Sequence, residues 1–315
     1  MSKIKIMCTS TGCIEYGPEE YRNLGIDIIR IHMFFQDKEY LEGPDLDPAE
    51  FYKALENTKD TRKNLPHTAM PTSGEIYNHF QKALEEGYDE VIVISLSSYL
   101  GGTWNFICLM AEEFRSKFKK ITVIDAKITC FQEGLLAIKA QQLVNQGASH
   151  ETIVQEVEWM IKHQEFIGLS TKLDYMIFNG RLKGGKAYLG KALSICPVLQ
   201  FNHQGELAPL TNAMGPNQTM VKVMKQLKKW IGNRDPKDYL LFRCYTGRTL
   251  EDLQNKMEAK FGIKTNAPAV IMSTVTGCHV GPWTEGYSYT PIRRNDEPLD
   301  PLPEYYYKQN RIEHE

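Results

Sequence analysis

Short apolar runs rich in β-branched residues alternate along the chain with longer stretches whose apolar positions recur every three to four residues. That is the pattern of parallel strands joined by crossover helices. In the first half the runs fall near 4–9, 26–35, 90–96 and 120–125, and helical periodicity near 48–57, 74–87, 103–117, 131–146 and 150–164. The helix after residue 73 has a readable start, since Thr72 and Ser73 supply capping hydroxyls and Glu75 an acid in the first turn. The run EVIVISL at 90–96 is apolar nearly throughout, as a central parallel strand buried on both faces must be. The polar stretch SLSSYLGGTWN at 95–105 therefore follows the carboxyl end of a central strand, where open α/β sheets bind ligands.

The second half has a different rhythm. FIGLST at 166–171 reads as a strand, followed by short helices in LDYMIFNG and GKAYLGKAL. PVLQFNHQGELAPL at 197–210 reads as a hairpin turning at Asn202, His203, Gln204 and Gly205. A basic amphipathic helix at 217–231, a strand at 239–244, a helix at 249–261 and a strand at 268–275 follow. The fold class is α/β: a Rossmann-like parallel sheet with flanking helices over 1–165, a mixed α/β sheet over 166–288, and a Pro-rich, charged tail over 289–315. Tyr305, Tyr306 and Tyr307 in that tail favour partial docking on the body.

Charge and composition narrow the function. Of 315 residues, 42% are hydrophobic and 24% charged, as in a soluble globular protein. A net charge of −2 offers no footprint for nucleic acid or an anionic membrane. No apolar run approaches the roughly 20 residues that span a bilayer. The seven cysteines (8, 13, 108, 130, 196, 244 and 278) are scattered without a C-x-x-C pair. Structural zinc and a disulfide framework are thereby disfavoured, and a reducing cytoplasm is the expected compartment.

Four segments carry candidate chemistry, each with a plain alternative. LGGTW before a helix can cradle an anion on backbone N–H groups; the alternative is a turn with Thr103 as helix cap. The P-loop and dinucleotide fingerprints are absent, so a nucleotide is disfavoured. Thr68 in PHTAMPTSGEI could aim its hydroxyl across the sheet edge, or be an ordinary turn residue. Arg181 in NGRLKGGKAYLG suits an anion, or a surface pairing with Asp174 or another acid. His279 in TGCHVGPWTEG is bracketed by Gly277, Gly281 and Pro282 just past a strand. A Cys278–His279 nucleophile pair is geometrically poor there, because neighbours in an extended segment point to opposite faces. No carboxylate cluster or His-x-x-x-His accompanies it, so metal is disfavoured too.

Taken together and in order, these segments resemble the DegV family of bacterial fatty-acid-binding proteins. That family's pattern has a T-S-Q-P-S turn, an S-S-x-L-S-G-T loop, a G-G-R-I segment and a late H-x-G-P. Here TAMPTSGEIY, SSYLGGTW, NGRLKGGKAYLG and GCHVGP stand for them, and the likeness runs from about residue 4 to 286. The resemblance implies a two-domain fold that buries a long-chain fatty acid and holds its carboxylate near the domain interface. It further implies presentation of that acid to a separate ATP-using fatty acid kinase subunit, with no cofactor and no metal in the carrier. The residues it places at the carboxylate are Thr68, Ser98, Gly101, Gly102, Arg181 and His279. Membrane contact would be transient and unanchored.

The departures are specific. Gly101 stands where the family pattern has the loop serine, Ala69 replaces the serine after Thr68, and Thr9 and Cys13 stand for two aspartates. Cys196 replaces a lysine, and Asn179 one glycine of the Arg segment. A lost charge-assisted hydrogen bond costs about 1.5–3 kcal/mol, which a long acyl chain absorbs or a different amphiphile avoids. The contrasting class is a hydrolase or transferase with His279 as general base, for which the sequence offers no orienting acid.

Overall fold

The computed structural model describes residues 3–58, 63–188 and 195–299. The strands are β1 (Ile4–Thr9), β2 (Asp27–Ile29), β3 (His32–Phe35), β4 (Lys38–Leu41), β5 (His67–Ala69), β6 (Glu90–Ser95), β7 (Lys120–Asp125), β8 (Glu165–Ser170), β9 (Val198–Phe201), β10 (Leu207–Thr211), β11 (Tyr239–Tyr245), β12 (Val270–Ile271) and β13 (Thr284–Pro291). A parallel sheet runs β2-β1-β6-β7, a small antiparallel sheet β4-β3-β5, and a mixed sheet β10-β9-β8-β13-β11-β12.

Strand β6 is buried at every position between β1 and β7, as its unbroken apolar run requires. The next helix towards the amino end, Ser73–Glu85, starts on a full capping box between Thr72 and Glu75. The largest buried apolar cluster draws on both large sheets, with Ile92 and Ile94 from one and Leu199 and Phe242 from the other. Gly205 at the tip of the β9–β10 hairpin holds the halves together. Ser97 Oγ donates to its carbonyl at 2.8 Å, and a Cβ there would lie 2.2 Å from the same oxygen.

Four readings of the sequence are corrected. The run at 26–35 is two strands, β2 in the parallel sheet and β3 turned into the antiparallel one, where Met33 registers with Thr68. The run at 268–275 gives only β12 before the chain turns into a helix, Thr274–Val280. Ser273 caps that helix by accepting from the Thr276 N–H at 3.1 Å, and buried Glu42 accepts from the Val275 N–H at 2.7 Å. Tertiary contacts thus override the poor helix propensity of TVTGCHV. The segment 284–291 is β13, a central strand between β8 and β11, so ordered sheet continues past residue 288. Within GKAYLGKAL a 3-10 turn covers Gly185–Tyr188; the rest of that segment's proposed helix, and the tyrosines at 305–307, lie outside the described residues. Among the described residues no helix is long and apolar enough to cross a membrane.

Candidate functional site

In the order β2-β1-β6-β7 the chain departs to opposite sides at β1 and β6, the switch point where doubly wound sheets open a crevice. A cavity of about 720 Å³, counting its open mouth, lies beyond these strand ends. Thr11 after β1, Leu96 and Leu100 to Thr103 after β6, and Thr129 after β7 reach it from the parallel sheet. Phe201 and Leu207 reach it from the hairpin, and Val275, Thr276, His279 and Val280 from one face of the helix Thr274–Val280.

Five of the six candidate residues line this cavity: Thr68, Gly101, Gly102, Arg181 and His279. Ser98 is not among them. Its backbone N–H donates to Asp125 Oδ1 at 3.2 Å, so it helps to pin the loop after β6.

Strand β5 brings Thr68 opposite the helix, where its Oγ1 lies 3.0 Å from His279 Nε2. His279 Nδ1 is buried without a partner. An orphaned N–H costs more than an orphaned lone pair, so the proton is assigned to Nε2, which donates to Thr68. The Thr68 hydroxyl proton is then free to donate into the cavity. Burial, helped by the nearby Arg181 charge, lowers the His279 pKa from 6.5 to about 4, so the ring is neutral near pH 7.

Arg181 Nε donates to the Leu100 carbonyl at 2.5 Å and its NH1 to the Asn179 carbonyl at 2.9 Å. Among the described residues no carboxylate pairs with it; the expected partner Asp174 does not. Burial lowers its pKa without an acid to offset the effect. A half-buried guanidinium satisfied only by carbonyls still attracts an anion.

The loop after β6 adds donors. The helix Thr103–Glu112 begins at Gly102 with no side-chain cap, so Thr103 is its first residue and not the cap of the alternative reading. Among the described residues the N–H groups of Gly101 and Gly102 have no acceptor. Gly102 is packed close, as a Cβ there would lie 2.9 Å from Met70 Sδ, whereas a Cβ on Gly101 would meet nothing within 4 Å. The missing side chain leaves open space beside Thr68, His279 and Arg181.

The nucleophile pair fails for a different reason from the one expected. Cys278 and His279 are helical neighbours, with Cys278 turned into the cluster of Phe51 and Tyr52 and its thiol pushed well above its ordinary pKa by burial. The lining residues that the quoted motifs do not mark are Thr11, Ile31, Thr129, Phe201, Leu207 and Val275. The rule that ligands bind beyond the carboxyl ends of parallel strands would have found Thr11 and Thr129.

This cavity has one polar cluster of hydroxyl, guanidinium, neutral imidazole and free amides, and an otherwise largely apolar wall. The DegV family model, described as "Uncharacterised protein, DegV family", matches residues 3–291. The chain belongs to the DegV family. A DegV domain-containing protein of Listeria innocua is 25% identical over 289 residues, covering 91% of this chain and 98% of that relative. A solved fatty acid binding DegV family protein from Streptococcus agalactiae has a TM-score of 0.82 at 24% identity, covering 93% of this chain and all of the other. DegV from Bacillus subtilis, described as a fatty acid binding protein, has a TM-score of 0.74 at 25% identity, over 92% of this chain. These DegV-fold neighbours share the α/β architecture of a parallel sheet with a mixed one.

Because His279 is held neutral, its effect on stability has a definite sign. Between pH 6.5 and about 4 the unfolded chain binds a proton that the folded protein refuses. Stability therefore falls as pH drops through that window. His279→Gln is expected to flatten this part of the curve of unfolding free energy against pH; an unchanged curve would place the titration elsewhere.

Proposed function

We propose that this DegV protein buries a long-chain fatty acid and holds its carboxylate on Thr68, which His279 orients, on Arg181 and on the amides of Gly101 and Gly102. The observation that carries this reading is the Arg181 guanidinium, without a carboxylate of its own, facing a largely apolar cavity. One carboxylate oxygen would accept from Thr68 and the other from the loop amides, with Arg181 supplying charge. Burial of the acyl chain at about 0.8 kcal/mol per CH₂ supplies most of the affinity. Read as domains 1–165 and 166–288, the chain puts the carboxylate end at the domain interface. The solved relatives' description as fatty acid binding proteins supports the same ligand class.

A carrier fits better than a catalyst. Among the described residues no acid orients His279 and its Nδ1 has no partner, and the Cys278 thiol faces away into the core. The acid would instead be presented, from a cytoplasmic protein, to a separate ATP-using kinase subunit. Protein loaded with hexadecanoic acid should yield acyl phosphate with ATP and a fatty acid kinase catalytic subunit. Thr68→Val should lower that yield about tenfold, the worth of one hydrogen bond to a charged group. Equal yields from both proteins would remove Thr68 from the hand-over.

The space at Gly101 gives a test in the opposite direction. Gly101→Ser fits without a clash and returns a hydroxyl to the carboxylate, so it should tighten binding of hexadecanoic acid about tenfold. Weaker binding would show that the space belongs to a larger head group.

A further inference from the structure

The carboxylate site leaves four hydroxyls in the cavity wall unused; Thr103 opens the helix Thr103–Glu112, and the other three are Thr11, Thr129 and Thr276. They come from the ends of β1 and β7 and from the helix Thr274–Val280, so no single element's composition explains their meeting. Thr129 is only 7% exposed, yet among the described residues its hydroxyl has no oxygen or nitrogen partner. Its polar neighbour, the Cys130 sulfur, is a weak donor and acceptor. Thr11 Oγ1 donates to Glu133 Oε2 at 2.8 Å and touches Thr9 Oγ1 at 3.1 Å, which leaves it a lone pair. Thr276 Oγ1 accepts from Ser273 Oγ at 3.2 Å and from Cys130 Sγ at 3.7 Å, which leaves its own proton.

Buried polar atoms nearly always find a partner, so an unpaired hydroxyl on a cavity wall marks a place for one from outside the chain. We propose that Thr11, Thr129 and Thr276 form an oxygen-binding subsite that makes the protein prefer a long-chain acid bearing a hydroxyl close to its carboxyl end. This rests on the fatty-acid reading above and adds a substrate class to it. A ligand hydroxyl donates one proton and accepts others; Thr11 offers the lone pair, Thr129 and Thr276 the protons. Its place along the ligand follows from the helix. Thr276 and His279 are three residues apart, so their Cβ atoms are about 5–6 Å apart on one face. With the carboxylate at His279, the oxygen falls within the first few carbons, as in a 3-hydroxy acid. A site built to pair an oxygen discriminates against the analogue that lacks it.

The test uses delipidated full-length protein and displacement of a fluorescent fatty acid. 3-Hydroxyhexadecanoic acid should bind about tenfold tighter than hexadecanoic acid, equivalent to ~1.4 kcal/mol. A 12-hydroxy acid should gain nothing over its unsubstituted parent. Thr129→Val, which keeps the side-chain shape, should abolish the 3-hydroxy advantage and tighten hexadecanoic acid about twofold by removing the stranded hydroxyl. Equal affinities for the two acids in the unaltered protein would overturn the subsite while leaving the fatty-acid reading intact. So would an advantage that survives both Thr129→Val and Thr276→Val. If neither acid binds, the fatty-acid reading fails and the subsite with it.

Discussion

Arg181→Ala is expected to weaken binding of a long-chain fatty acid by roughly 10- to 150-fold, the range of one hydrogen bond to a charged group. The size follows from what Arg181 lacks. Its Nε and NH1 are taken by the carbonyls of Leu100 and Asn179, which fix its position, and among the described residues no acid neutralises it. A carboxylate arriving in the cavity meets an oriented cation whose desolvation was met on folding, so little reorganisation offsets the gain. For the same reason the substitution strands no buried anion, and stability should change by less than about 1 kcal/mol. Arg181→Lys should recover part of the affinity, since a point charge lacks the fixed fork. Fluorescent fatty-acid displacement by hexadecanoic acid checks this. An unchanged affinity at unchanged stability would mean that the carboxylate lies elsewhere.

Glu42→Ala is expected to destabilise the protein by about 3 kcal/mol, although Glu42 is not among the residues that line the cavity. Glu42 is 2% exposed and sits against the amino end of the helix that carries His279. Its Oε2 accepts from Thr274 Oγ1 at 2.5 Å and from the Val275 N–H at 2.7 Å, and its Oε1 accepts from the Tyr16 hydroxyl at 2.7 Å. Removing the carboxylate leaves these donors buried without an acceptor, and each costs about 1–3 kcal/mol before relaxation. Guanidinium unfolding should show a lower midpoint at unchanged slope. The fatty-acid affinity should fall with it, because the helix positions Thr276 and His279. A midpoint shift equivalent to less than 1 kcal/mol would show that the helix holds its place without Glu42.

These two residues also show where the sequence is legible. Arg181 can be read from its glycine-flanked motif, as Gly101 and Gly102 can from their place after a strand that is apolar at nearly every position. Thr68 and His279 can be read only as members of an ordered set of motifs. That they touch, 3.0 Å apart and 211 residues apart in sequence, belongs to the fold. Glu42 leaves no trace in the local pattern, since its partners Thr274 and Val275 are 232 and 233 residues away. The helix Thr274–Val280 is hidden by two threonines, a glycine and two valines, and exists because Ser273 and Glu42 cap it. Strand β13 is hidden by Gly286, Ser288 and Pro291, poor strand formers that lie buried between two strands. Ser98 shows the opposite error: a hydroxyl beside the right glycines, on a loop residue that does not reach the cavity.

The proposed ligand is a long-chain fatty acid held in the cavity by its carboxylate. The most direct measurement is to purify the protein without added lipid, denature it, extract the solution and identify the released molecules by mass spectrometry. A free long-chain fatty acid should be released at near one equivalent per chain, falling several-fold in Arg181→Ala. Protein that refolds and competes for fatty acid with no measurable affinity, and releases no fatty acid on denaturation, would contradict it.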